Sequence, residues 1–233
     1  MIKRRKFITL LGGTAIVWPL AARSQQAGKV PTIGYLGPST RSLEVKRLDA
    51  FVQRLRDFGW IEGRTVAIEY RWAEGGNEHL AEIATTFVRR KVDVILTSAT
   101  PPTIAAKQAT SIIPIVFAAV GDPIGIRVVE SLARPGGNAT GLSLQQTDAA
   151  GKRMELLREV VPGLRRLAIM ANTGNASAVL DMREAQAASH TFGFEVITML
   201  RNGSLAALGQ QYGLEWMAAT MHEDKMPEQI QSH

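Results

Sequence analysis

The amino-acid sequence predicts an α/β protein built as two doubly wound parallel-sheet lobes. Three observations lead there. Short β-branched runs such as Asp93-Val94-Ile95-Leu96-Thr97 lack the alternation of a half-exposed strand and match strands buried on both faces. Segments of helical period, about 10 to 15 residues long, separate those runs and imply right-handed βαβ crossovers. The strand–helix rhythm pauses near Gly141 and restarts near Asp148, which divides the chain in two.

Taken in order, Val30 to Leu36 is the first strand and runs into Gly37-Pro38-Ser39-Thr40. Val45, Leu48, Phe51, Val52, Leu55 and Phe58 recur at helical spacing, with Ser42 as the expected N-cap and Gly59 as the stop. Thr65 to Trp72 alternates as a second strand. Gly75-Gly76-Asn77 then turns into a helix whose apolar stripe is Leu80, Ile83, Ala84, Phe87 and Val88. The third strand stops at Ser98-Ala99-Thr100. Thr100 is the expected N-cap of the next helix, and Pro101 suits its first position, where a missing N–H costs nothing. That helix should run to about Ser111. Pro114 to Ala118 is a fourth buried strand, and Val120-Gly121-Asp122-Pro123 is expected to open a further helix. Arg134 to Asn138 is a tight loop before the extended piece Ala139 to Ser143. Asp148 is expected to cap a helix through Val161, Arg166 to Ala171 is a strand, residues 176 to 192 are helical, and Phe194 to Leu200 is a strand. The lobes are assigned to residues 27–141 and 142–233, joined through residues 140 to 146. Two lobes on a hinge can close on a ligand.

Residues 1–26 have the pattern of an export signal. Lys3-Arg4-Arg5-Lys6 is a basic head, Phe7 to Leu20 is apolar, and Ala22-Arg23-Ser24 offers small residues for cleavage after Ser24. Gly12-Gly13 and Pro19 interrupt the apolar stretch, which is short of the roughly 20 residues of a membrane span. Arg4-Arg5 followed by Lys6-Phe7-Ile8 resembles a twin-arginine signal, which implies the Tat translocase as a transient partner and a periplasmic product; an ordinary Sec signal is the alternative. This segment also explains the charge. The chain is formally +6, and residues 1–26 carry five of those charges with no acid, which leaves +1. The basic balance therefore gives no ground for a nucleic-acid partner. No cysteine is present, which excludes disulfides, thiol chemistry and a lipid-modified cysteine.

Chemistry is expected at the carboxyl ends of the strands. Two consecutive strands finish in small or polar residues just before predicted helix N-termini, where an open parallel sheet binds its ligands. Ser98, Thr100 and Asp122 stand there. Helix capping and ligand binding both account for them, and the two roles are compatible. Other signals are weaker. His79, His190, His222 and His233 lie far apart with no cysteine partners, so no metal site is expected. Gly34-x-x-Gly37 lacks the third glycine of a dinucleotide fingerprint, and no cofactor is expected. Asn138-Ala139-Thr140, Asn175-Ala176-Ser177 and Asn202-Gly203-Ser204 match a glycosylation sequon but read as loops and caps. No nucleophile elbow or phosphate-binding loop occurs.

The run Ile113 to Pro123, together with Leu132-Ala133-Arg134-Pro135-Gly136-Gly137-Asn138-Ala139-Thr140-Gly141, resembles the bacterial ABC-transporter substrate-binding proteins whose relatives bind aromatic amino acids. Trp18 to Ala22, Phe58-Gly59-Trp60-Ile61-Glu62-Gly63 and Asn77 to Ala84 are similar to the same family, so the resemblance spans residues 1 to about 196. It implies a type I periplasmic-binding-protein fold, a small amino-acid-like ligand in the interlobe cleft, an ABC permease as partner, and no catalysis. By the same resemblance, ligand contacts fall at Ser39, Ser98, Thr100, Ala119 and Asp122 of the first lobe and Asn172 of the second.

The pattern is lost after about Val196. The first lobe has 112 residues, from 30 to 141, whereas only 92 remain from 142 to 233. A truncated or frameshifted end, with mobile residues after about 200 and weak or absent ligand affinity, is expected; a compact natural variant is the alternative. An exported α/β hydrolase or dehydrogenase using Asp122 or Ser98 is a competing reading, although no nucleophile–base pair accompanies either residue. A periplasmic ligand-sensing domain is a third.

Overall fold

A computed structural model describes residues 30–74 and 76–201. The export segment with Arg4 and Arg5, and the tail from 202 onward, lie outside the described residues. Five strands form one sheet: β1 (Thr32–Gly37), β2 (Ala67–Trp72), β3 (Val94–Ser98), β4 (Ile115–Val120) and β5 (Ala139–Ser143). Their order is β2-β1-β3-β4-β5 and every pairing is parallel. The helices α1 (Arg41–Asp57), α2 (Leu80–Arg90) and α3 (Thr100–Ala109) connect them. A second, two-stranded parallel sheet joins β6 (Arg166–Asn172) to β7 (Glu195–Arg201), with α4 (Gln146–Val160) before it and α5 (Ala176–Thr191) between its strands.

Successive side chains leave a strand on opposite faces, and β1 uses both. Leu36 points into a core shared with Ile95, Ile115 and Phe117 of the sheet and Leu80, Ala84, Phe87 and Ala106 of α2 and α3. Gly34 lies on that same side. A Cβ there would stand 2.9 Å from the Phe87 ring, so the missing side chain lets α2 settle directly on the sheet. Tyr35 faces the other way, toward α1, beside Tyr70 and Trp72 of β2. Helix α1 does not cover the whole of that second face. Val116 of β4 is 39% exposed and Leu142 of β5 72% exposed. The two edges of the sheet also differ: β2 carries Glu69, paired with both Arg71 and Arg90, whereas β5 reads Ala-Thr-Gly-Leu-Ser.

Several local expectations need correction. The N-cap of α1 is Thr40, not Ser42, and the buried stripe of that helix includes Glu44 and Leu48 while Val45 is 40% exposed. Thr100 is the first residue of α3 and does not cap it; the cap is Ala99. Helix α3 ends at Ala109, short of Ser111. There Thr110 Oγ1 accepts the N–H groups of Ile112 and Ile113, and Asn138 donates to the carbonyls of Thr110 and Ile113. No helix follows Asp122-Pro123. A single turn forms, in which Asp122 Oδ1 accepts the Gly125 N–H, and Arg127 at φ 58° closes it so that Val128 N–H reaches the Pro123 carbonyl. Such a left-handed closing residue ends a helical turn as it would end a long helix. Helix α4 starts after Gln145 at φ 49°, and Asp148 lies within its first turn, where its charge suits the helix dipole without capping.

Candidate functional site

The strand order places β2 on one side of β1 and β3 on the other. The crevice outside the carboxyl ends of β1 and β3 is therefore the topological switch point, the position where open parallel sheets bind ligands. A cavity of about 440 Å³ opens there, walled by Tyr35 and Pro38 from the end of β1, Ser98 and Ala99 from β3, and Ala119 from β4. Most of its wall is apolar, with α1 along one side.

The backbone of this wall is strained. Ala99 adopts φ 65° and ψ 173°, a region that only glycine ordinarily occupies, and Ala119 adopts φ 54° at the end of the adjacent strand. The two segments are tied together, since the Ala99 N–H donates to the Ala118 carbonyl at 2.9 Å. Each such conformation costs on the order of 1–3 kcal/mol and persists only where the surroundings hold it. Two of them side by side on the carboxyl edge mark the place where the sheet departs from regular geometry.

Beneath the cavity lies a buried carboxylate. Glu44 of α1 is 2% exposed; one oxygen accepts the Tyr35 hydroxyl at 2.7 Å and the other the Ser39 hydroxyl at 2.8 Å. Burial, reinforced by the hydrogen bond and charge of Glu44, pushes the Tyr35 phenol well above its ordinary pKa. Trp72 stands edge-on to Tyr35 and stacks on Tyr70 behind it.

The six residues expected at the site fall into three places. Ser98 and Ala119 line the cavity, and Ser39 is joined to it through Glu44. Thr100 and Asp122 meet in a separate cluster around Ser177 of α5. Thr100 Oγ1 donates to Ser177 Oγ at 3.0 Å, and the Asp122 N–H donates to the same atom at 3.1 Å. The Asp122 carboxylate is occupied locally, by the Gly125 N–H and by the Thr147 hydroxyl at 2.9 Å. Asn172 ends β6, where its side-chain oxygen accepts the Gly174 N–H at 2.9 Å. Helix α3 is also a poor anion site, because Pro101 and Pro102 remove two of the N–H groups that its first turn would otherwise present.

Tyr35, Glu44 and Ser177 were missed by sequence reasoning. Glu44 had a signal: it precedes Leu48 by four residues, so an acid stands in the register of the buried stripe of α1. Ser177 had only its place two residues after Asn175, whose side chain accepts the Ser177 and Ala178 N–H groups and so caps α5. Among the described residues, no hydrogen bond joins Ser98 to a histidine or a carboxylate; the cavity offers hydroxyls and an apolar wall.

Comparison with known proteins agrees. A model of the family described as ABC transporter substrate binding protein matches residues 41–206. Over 152 residues the chain is 30% identical to a tyrosine-binding protein of Clostridioides difficile (strain R20291), an alignment covering 65% of this chain and 44% of that one. The chain thus spans less than half the length of that curated relative. A crystal structure of a conserved domain protein from Vibrio cholerae superposes with a TM-score of 0.70 at 28% identity, covering 82% of this chain and 62% of the other. The ABC domain in complex with L-Trp from Streptococcus pneumoniae gives 0.64 at 25% identity, covering 74% and 57%. The fold is that of the type I periplasmic binding proteins, and the chain belongs to the ABC transporter substrate binding protein family.

Proposed function

We propose that the chain is the solute-binding component of an ABC uptake system and takes an amino-acid-like molecule into the crevice at the β1/β3 switch point. The observation that carries this reading is the cavity walled by Tyr35, Ser98 and the strained Ala99 and Ala119. An apolar pocket with a few converging hydroxyls suits a small ligand with an apolar body and a polar head. The relatives are named or described as binding tyrosine and L-Trp, which favours an aromatic side chain in this pocket. In this reading residues 27–141 and 142–233 are the two lobes of the clamp. Ser39, Ser98 and Ala119 contact the ligand directly or through Glu44. Thr100, Asp122 and Asn172 act from the junction between the lobes. The chain is exported through the twin-arginine pair Arg4-Arg5, works outside the cytoplasm, and delivers its ligand to a membrane permease.

Isothermal titration of the full chain with L-tyrosine, L-tryptophan and L-leucine tests this reading. Binding of the aromatic pair, weakened by Ser98→Val, is expected. A Ser98 hydroxyl bonded to a charged ligand group is worth about 1.5–3 kcal/mol, or roughly ten- to a hundredfold in affinity. Heat with none of the three, or binding indifferent to Ser98→Val, overturns the assignment of this pocket.

A further inference from the structure

We infer that Ser177 is a latch between the two lobes, favouring the arrangement in which they lie together over one in which they part. The inference rests on the proposed binding role only in treating the chain as a two-lobed clamp. Ser177 is fully buried at the start of α5, yet its hydroxyl oxygen accepts both the Thr100 hydroxyl and the Asp122 N–H, which lie two residues beyond the ends of β3 and β4. Thr100 Oγ1 in turn accepts the Gly121 N–H at 3.4 Å. Two strand ends of the first sheet are therefore fastened through one side chain of the second lobe.

An independent feature shows that the close approach is built in. Gly121 stands where any side chain would intrude. A Cβ there would lie 2.7 Å from Ser177 Cβ and 2.4 Å from Gln146 Oε1, so only glycine allows α5 to come this near. One turn further along, Leu180 packs against Gly125 in the same way. Other bonds cross the junction as well: Asn77 Nδ2 donates to the Gly174 carbonyl at 2.9 Å, exposed and open to replacement by water, and the Thr147 hydroxyl donates to the Asp122 carboxylate at 2.9 Å.

The contact has a definite consequence. Removal of the Ser177 hydroxyl leaves the Thr100 hydroxyl and the Asp122 N–H facing a methyl group. They regain partners only if water enters, which requires the junction to part. The free energy of buried hydrogen bonds therefore becomes a bias toward the open state, about tenfold in the open-to-closed ratio for a bond of ordinary strength.

The absence of cysteine makes a direct test available. Ala50→Cys on the exposed side of α1 and Glu159→Cys on α4 give the full chain a pair of nitroxide labels, one on each side of the junction. Their separation is read by double electron–electron resonance without ligand. Ser177→Ala and Gly121→Ala should both shift the distribution to longer distances while the far-ultraviolet circular dichroism stays that of the parent. Thr100→Val removes the same bond from the other side and serves if Ser177→Ala does not fold. Distributions superimposable on the parent's in these variants overturn the latch. Because no ligand is added, that result leaves the calorimetric test of solute binding untouched.

Discussion

Replacing Tyr35 by phenylalanine isolates one buried bond. The ring volume is kept, so packing against Trp72 and Tyr70 is preserved, and only the 2.7 Å bond to Glu44 is lost. At 2% exposure Glu44 regains little of that bond from water, and Arg47, 3.7 Å from its other oxygen, is the charged partner that remains. A hydrogen bond to a charged group contributes about 1.5–3 kcal/mol. For a chain of this size each kcal/mol moves the melting temperature by about 2–4 °C, so Tyr35→Phe should melt roughly 3–12 °C below the parent. Ser39→Ala removes the other bond to the same carboxylate, but Ser39 is partly exposed and water can take its place, so a smaller loss is expected. Alkaline pH adds a signature. Below pH 10 the phenol is protonated in both folded and unfolded chains and Tyr35 contributes no slope. Above it the unfolded phenol ionises first, because the folded one is raised by burial, and stability falls by up to about 1.4 kcal/mol per pH unit. Tyr35→Phe should flatten that share of the decline. Urea titrations at pH 7 and pH 10.5, followed by circular dichroism, measure both effects. A Tyr35→Phe loss under about 0.5 kcal/mol with an unchanged alkaline slope would refute the reasoning.

Two further outcomes are expected. Ala99→Gly relieves a conformation that costs about 1–3 kcal/mol at the price of some unfolded-state entropy, so it should raise the urea midpoint; a lowered midpoint would show that Ala99 is not strained. Replacing Arg4 and Arg5 by lysine keeps the charge but removes the pair that the Tat receptor reads, and should abolish periplasmic accumulation; unchanged accumulation in cell fractionation assigns export to Sec.

Much of the fold was legible because parallel strands buried on both faces leave continuous apolar runs, as in β3 and β4. Three of the helix starts were not. Ser42, Thr100 and Asp148 have the composition of caps, yet each lies within the first turn. What decides the cap is the backbone of the preceding residues, and at Ala99 and Gln145 that backbone has positive φ in a residue whose type gives no hint of it. The site divides the same way. Ser98 follows from its place at a strand end, whereas Ala119 came only with the family resemblance. Glu44 depends on Tyr35 nine positions earlier and Ser177 on Thr100 seventy-seven positions earlier, pairings that spacing along the chain does not encode. The turn after Asp122 failed for a related reason: its side chain caps, but the chain reverses at Arg127 before a second turn can form.

The unequal edges of the five-stranded sheet bear on how the chain behaves at high concentration. On β2 the carboxylate and guanidinium groups of Glu69, Arg71 and Arg90 would have to be desolvated before another strand could add. On β5, among the described residues, nothing comparable guards the backbone groups, and Leu142 offers an apolar foothold beside them. With only about one net charge beyond the export segment, long-range repulsion does little to keep molecules apart. Of the two edges of the five-stranded sheet, β5 is therefore the one less protected against addition of another strand.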